Sequence, residues 1–218
     1  MSSPARHRVF LLSPARCSGR RAAVLLNPAA RFPLAQRLHA GEPVALGEAF
    51  QFVSGLYFRG KLAYAERFAS APPESPGVLA ITATRGLLPV STPIGPADLL
   101  EFAGADIHPE LPAYRLPLAR DAAGLVRDDT EVVLLGSIAT GKYVDVLLDV
   151  VGERLLFPSE FVGRGDMSRG ALLLRAARSG QELGYEPVAG AVRRGRRPPR
   201  GEATDGPDPP HHPRPDPD

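Results

Sequence analysis

The stretch EVVLLGSIATGKYVDVLL, residues 131–148, decides how the chain is read. Residues 131–136 form an apolar run that stops at Gly136, the pattern of a buried strand. Val144, Leu147, Leu148 and Val151 then recur at helical spacing, and Gly152 closes the segment. A strand that passes into a helix through a few small residues is one unit of an α/β sheet. The turn itself, Gly136 to Lys142, also spells G-x-x-x-x-G-K, the frame of a phosphate-cradling loop. Tyr143 stands where such a loop needs a Ser or Thr for magnesium, and the following strand, RLLFP, ends without an Asp. A nucleotide hydrolase is therefore disfavoured. Thr140 suits the cap of a helix, because a hydroxyl accepts from the free N–H groups there. Lys142 then sits at the wrong end of the helix dipole, a sign that an anionic ligand would reverse.

The pattern repeats on both sides of this unit. RVFLL (8–12) and GVLAITAT (77–84) predict strands, and AAVLL (22–26) predicts another. Residues 46–69 carry helical signals interrupted near Gly55, with Phe58, Leu62 and Ala65 on one stripe. Helices are predicted around 96–103 and 115–127, a strand over 153–157 stopped by Pro158, and a helix over 167–178 before Gly180. This alternation predicts an α/β fold: a single layered domain over 8–190, with a mixed, mostly parallel sheet flanked by helices. Residues 1–7 read as a flexible N-terminus. Residues 191–218, rich in Arg and Pro and nearly free of apolar side chains, read as a disordered C-terminal tail.

Composition sets the class. At 218 residues and 44% hydrophobic content the chain can bury a core of ordinary size. No apolar run approaches the roughly 18–20 residues of a membrane helix, and Val9–Leu12 is too short for a signal peptide. No membrane association is predicted. The single cysteine allows no internal disulfide, so a reducing cytoplasm is the expected location. His211 and His212 are too few to specify a metal, and no metal site is predicted. Of 26 basic residues, all but Lys61 and Lys142 are arginine. Two lysines kept in such a background mark themselves for attention, since an amine is a compact and tunable donor.

Four segments follow predicted strands and carry small polar or basic residues: Ser13–Arg21, Thr82–Pro89, Gly136–Tyr143 and Gly163–Arg169. In a parallel sheet the carboxyl ends of the strands share one edge, where ligands settle. These loops would bring Arg16, Arg20, Arg85, Lys142, Arg164 and Arg169 toward one mouth, a charge pattern for a phosphate- or nucleotide-like partner. Cys17, among Arg16, Arg20 and Arg21, is in a setting that stabilises thiolate and is a candidate reactive group; an inert loop thiol is the plainer reading. Tyr57, Arg59, Lys61 and Tyr64 interleave aromatic and basic side chains, as a nucleic-acid surface or as an amphipathic helix. The tail cluster Arg193, Arg194, Arg196, Arg197 and Arg200 would suit nucleic acid, or would simply be solvated. Arg164-Gly165-Asp166, a cell-adhesion tripeptide by letter, is read as coincidence.

Three of these places share an order with a known group. SPAR (Ser13–Arg16) after the first strand, TATRGLLPVSTPI (Thr82–Ile94) and GSIATGKY (Gly136–Tyr143) resemble the S-P-A-K, G-L-x-x-P and late A-S-x-x-Y elements of YaaA-type peroxide-stress proteins. The resemblance is greatest to the smaller uncharacterised relatives in that group. It spans about residues 8–178, with Arg16 in place of lysine and Gly136 in place of alanine. Little room is left for the helix-hairpin-helix insert of the longer members. The resemblance implies an α/β fold whose loops form a pocket for nucleotide or nucleic-acid chemistry, and makes Tyr143 an expected residue.

The expectation is thus a basic pocket for a nucleotide, nucleobase or other phosphorylated ligand, lined by Ser13, Arg16, Arg85, Ser137, Thr140, Lys142 and Tyr143. Arg16, Arg85 and Lys142 would neutralise the anion, and Ser137 and Thr140 would donate hydrogen bonds. Lys142 or Cys17 would be the reactive group of an enzyme; the sequence specifies no reaction and no cofactor. The alternative is a nucleic-acid-binding stress protein without catalysis, acting through its basic surface and tail.

Overall fold

In the computed structural model, which describes residues 7–193, the first strand is the axis of the sheet. β1 (His7–Leu12) lies between β3 (Val78–Ile81) and β6 (Thr130–Leu135) and is parallel to both. The six-stranded sheet runs β4 (Leu87–Pro89), β3, β1, β6, β7 (Leu155–Pro158), β8 (Tyr185–Pro187), with β4 and β8 antiparallel at the edges. β2 (Val44–Ala45) and β5 (Pro93–Ile94) pair in a separate small antiparallel sheet. The fold is therefore mixed α/β with a mostly parallel sheet, as the alternating pattern predicts.

Val9–Leu12, Val78–Ile81 and Val132–Leu135 are buried at every residue. A strand with no exposed face must be covered on both sides, which is why these runs are continuously apolar rather than alternating. The covers are helical. α3 (Leu46–Ser54), α4 (Leu56–Phe68) and α8 (Asp166–Ser179) form one group, which meets the sheet where α4 packs on β1 and β3. α6 (Pro112–Ala123) and α7 (Gly141–Val151) form a second, packed on β4 and β7. α1 (Arg20–Leu25) leans on α3, while α2 (Pro33–His39) and α5 (Pro96–Ala103) border the small sheet.

Gly55, at φ +61, separates α3 from α4, the interruption expected inside residues 46–69. Two other glycines set how closely helices approach. A Cβ on Gly60 of α4 would stand 2.5 Å from the carbonyl oxygen of Gly170 in α8. A Cβ on Gly170 would in turn stand 2.9 Å from Cα of Tyr57. The two backbones are in direct contact, and the α4 residues beside that crossing are held firmly.

Several expectations are corrected. AAVLL does not form a strand: it belongs to α1, with Ala22 and Leu25 buried while Ala23 and Val24 are exposed. A five-residue apolar run fits one helical turn as well as a short strand, and only a neighbouring strand could decide. LLP (Leu87–Pro89), expected as loop, is β4. The short elements α2, β2, β5 and β8 carry too little periodicity to be read. His7, placed in the flexible N-terminus, begins β1, its N–H donating to the Asp129 carbonyl at 2.7 Å. At the other end Ala191 packs on the core and Arg193 pairs with Asp145 at 2.9 Å. The rest of the expected tail lies outside the described residues. Among the described residues no helix is long and apolar enough to cross a membrane.

The topology fixes where a ligand would lie. From β1 the chain passes to β3 and β4 on one side, then returns to β6 on the other side of β1. The loops leaving β1 and β6 diverge, and the crevice beyond their carboxyl ends is the switch point of the sheet.

Candidate functional site

β1 and β6 run in register to their last residues, Leu12 opposite Leu135. The Ser13 N–H donates to the Leu135 carbonyl at 3.1 Å, so the ladder continues one residue and sets Ser13 beside Gly136. A Cβ on Gly136 would stand 2.8 Å from both Ser13 Cβ and Tyr143 Oη. Only a glycine fits, and its absent side chain lets Ser13 and Tyr143 close over the strand end. The Tyr143 hydroxyl donates to the Ser137 carbonyl at 2.9 Å. That bond answers the question posed by G-x-x-x-x-G-K: the phenol folds back on the loop, and the motif is a strand-to-helix turn closed by its own tyrosine. Burial pushes the Tyr143 phenol up to about 12, against the bonds to Ser13 and Ser137.

Beyond these strand ends opens a cavity of about 1200 Å³, large enough for a nucleotide-sized ligand. All four loops singled out in the sequence contribute to it: Ser13–Ser18, Thr82 and Ala83, Ser137 to Tyr143 in part, and Asp166. Of the expected lining residues, Ser13, Arg16, Ser137, Thr140, Lys142 and Tyr143 are brought together here, as is Cys17. Arg16, Thr140 and Lys142 are exposed at the rim, and Ser13 and Tyr143 are buried. Thr140 holds the N-cap position of α7, but its hydroxyl makes no capping bond and is free to meet a ligand.

Arg85 is not among the cavity residues. Thr82–Gly86 is a tight hairpin turn between antiparallel β3 and β4, closed by Thr82 Oγ1, which donates to the Gly86 carbonyl at 3.0 Å and accepts from the Arg85 N–H at 3.0 Å. The turn sends the guanidinium to α5, where Asp98, at 2.7 Å, and Glu101 hold it. The expectation took Thr82–Pro89 as a loop opening on the ligand edge; the chain instead turns straight back into antiparallel β4 and carries Arg85 away. Nor do Arg20, Arg164 and Arg169 line the cavity. Arg164 donates to the Glu160 carbonyl at 2.8 Å. Arg169, 8% exposed, gives its Nε and Nη2 donors to the Phe161 carbonyl.

The Cys17 thiol is also other than its arginine neighbours suggest. It is 5% exposed and donates to the Ala15 carbonyl at 3.7 Å. Burial pushes the thiol up to about 11, away from thiolate.

What the sequence left out of the site is its floor and its apolar wall. Phe50, Ser54, Tyr57 and Lys61 project into the cavity from α3 and α4, and Phe102, Ile107 and Leu111 close it from α5 and the segment after it. Phe50 and Ser54 are one turn apart on α3, as are Tyr57 and Lys61 on α4; Gly55 breaks the helix between the two pairs, so no single periodicity marks the set. Tyr57, Lys61 and Tyr64 are buried, leaving Arg59 exposed, so residues 57–64 present no aromatic–basic surface to a nucleic acid.

Lys61 is the unusual member. Its side chain is 1% exposed, and its ammonium donates to the Ser13 carbonyl at 2.7 Å and to Ser13 Oγ at 2.9 Å. The rings of Tyr57 and Phe58 lie 4.7 and 4.6 Å away, as cation–π partners. Among the described residues no carboxylate comes within ion-pair distance of it. Burial holds its pKa down at about 7, with Asp166 opposing. Tyr57 Oη, beside it, is buried without a hydrogen-bond partner of good geometry, and burial pushes that phenol up despite the nearby Arg169.

No protein-family model, curated protein or solved structure matches the chain. The likeness to YaaA-type proteins rests on the three motifs alone.

Proposed function

We propose that the switch-point cavity binds a phosphorylated, nucleotide-like ligand. One observation carries this reading: Arg16, from the loop after β1, and Lys142, at the start of α7, line the same cavity. Among the described residues neither forms an ion pair. Two cations without ion-pair partners at one opening attract an anion, although Asp106 and Asp166 also line the cavity, and the first turn of α7 adds its dipole with the same sign as the cations. Ser137 and Thr140 supply hydroxyls next to Lys142. The opposite wall, Phe50, Phe102, Ile107 and Leu111, offers an apolar face for a base or similar ring. Asp106 lies on that side, where its carboxylate would accept from ligand hydroxyl or amino groups.

A thermal-shift panel of nucleotides, nucleosides and sugar phosphates tests the reading. The phosphorylated members should raise Tm and their dephosphorylated counterparts should not. Equal shifts from both sets, or none, would remove the anion from the account. The motif resemblance to peroxide-stress proteins agrees with a nucleotide-linked role and adds no residue to the site. The rival reading, nucleic-acid binding without catalysis, now depends on the tail arginines. It predicts salt-sensitive binding that is lost when residues 191–218 are removed.

A further inference from the structure

We propose that Ser13 and Lys61 are a nucleophile and its general base, and that the cavity floor catalyses hydrolysis of a carboxylic ester. The inference goes beyond ligand binding and does not depend on a phosphate being bound.

The geometry is that of an activated hydroxyl. Lys61 Nζ lies 2.9 Å from Ser13 Oγ, within the reach a base needs. A third group orients the base: the Ser13 carbonyl, 2.7 Å away, takes one N–H, and the rings of Tyr57 and Phe58 enclose the amine. In the neutral amine the remaining lone pair faces Oγ, and the hydroxyl becomes the donor. Serine paired with lysine in this way is an established alternative to a serine–histidine pair.

A tether alone does not account for this amine. An ammonium with 1% exposure and no carboxylate partner is a costly way to satisfy one carbonyl. Burial resolves the cost by favouring the free amine near neutral pH, which is the form a base requires. The surroundings also hold the pair in place. Ser13 is fixed by the ladder to Leu135, and Lys61 lies one residue beyond the Gly60–Gly170 contact. The charged and titratable groups that share this cavity or pack against its floor are Asp166 and Arg169 from α8, Tyr143 and Lys142 from α7, Arg16 and Cys17 after β1, Asp106 and His108 after α5, and Tyr57 on α4 itself.

The reaction balances without a cofactor. Ser13 Oγ bonds to the ester carbonyl carbon as its proton passes to Lys61 Nζ. The tetrahedral adduct collapses, the ester C–O bond breaks, and Lys61 returns the proton to the departing alkoxide. Water then adds to the Ser13 acyl ester, giving a proton to Lys61. Release of the acid breaks the acyl–Oγ bond and restores the Ser13 hydroxyl with that proton. Lys142 and the first turn of α7 face the same cavity and favour the negative charge of each adduct.

An uncharged dialkyl fluorophosphonate, applied to the full chain from about pH 5.5 to 9, tests the pair by intact mass and peptide mapping. A single adduct on Ser13 is expected, with a rate that rises through one ionisation near neutrality. Ser13→Ala should give no adduct. Lys61→Met, which removes the buried amine without adding a polar group, should slow labelling at least ~100-fold while keeping a cooperative melt. Absence of a Ser13 adduct on the wild-type protein overturns the proposal, with no variant needed. A rate independent of pH, or unchanged in a folded Lys61→Met protein, overturns the role of Lys61. Because the probe is uncharged, this outcome is separate from the thermal-shift result with phosphorylated compounds.

Discussion

Gly60 in α4 and Gly170 in α8 meet backbone to backbone: a Cβ on the first would stand 2.5 Å from the carbonyl oxygen of the second. The obstacle is main chain, which cannot rotate aside. Gly60→Ala should therefore push the helices apart and cost about 2 kcal/mol or more, typical of overpacking. The melting temperature should fall by several degrees in a protein of this size. Since Lys61 follows directly, fluorophosphonate labelling of Ser13 should weaken as well. An unchanged melt would contradict the direct backbone contact between α4 and α8.

Gly136→Ala should act through the site rather than the helical layer. The new methyl would meet Ser13 Cβ and Tyr143 Oη, each at 2.8 Å. A loss of about 1–3 kcal/mol is expected, together with a weaker response to phosphorylated ligands. Adding Tyr143→Phe removes the oxygen and should restore part of the stability. If the double variant melts no higher than Gly136→Ala alone, the clash lies elsewhere.

Lys61 should leave a pH signature on stability. Its folded value, about 7, lies below the value of about 10.4 expected in an unfolded chain. Between these limits the unfolded chain keeps a proton that the folded protein has shed. Stability therefore rises with pH across that window, by at most about 1.4 kcal/mol per unit from this group. Below the folded value the cost of burial is fully present. The advantage of Lys61→Met over wild type should be larger at about pH 6 than at about pH 9 in urea titrations. A difference that does not vary with pH would show that Lys61 is not a buried amine.

Cys17 should behave as an inert thiol. With 5% exposure and a pKa pushed up to about 11, it should react with Ellman's reagent at least ~100-fold more slowly in the folded protein than in denaturant. Similar rates in the two states would revive it as a reactive group.

The parallel core was legible because its strands are buried on both faces and so read as plain apolar runs. Loop composition identified the edge of the sheet where the cavity lies, since ligand loops follow strand ends. Individual charges were harder. Arg85 has the same loop context as Arg16, but the chain after β3 turns back into antiparallel β4, and the acidic neighbours of Arg85, Asp98 and Glu101, come from a helix that spacing does not link to it. Lys61 was conspicuous as one of two lysines, and its place three residues after Phe58 puts it on the apolar stripe, but that spacing did not say how deep the amine lies or what it meets. Its partner, Ser13, lies 48 residues earlier in the chain. The depth of a polar group follows from the packing of α4 on α8, which is a tertiary property.

The central claim is that Arg16 and Lys142 hold one anion between them. The most direct measurement is calorimetric titration of a phosphorylated ligand found in the thermal-shift panel, made on wild type, Arg16→Ala, Lys142→Ala and Arg85→Ala. Loss of either Arg16 or Lys142 should weaken binding by at least about tenfold, consistent with one charge-assisted hydrogen bond. Arg85→Ala, whose guanidinium is engaged by Asp98 and Glu101 away from the cavity, should bind as wild type does. Equal affinities in all four proteins, or weakening by Arg85→Ala alone, would contradict that claim.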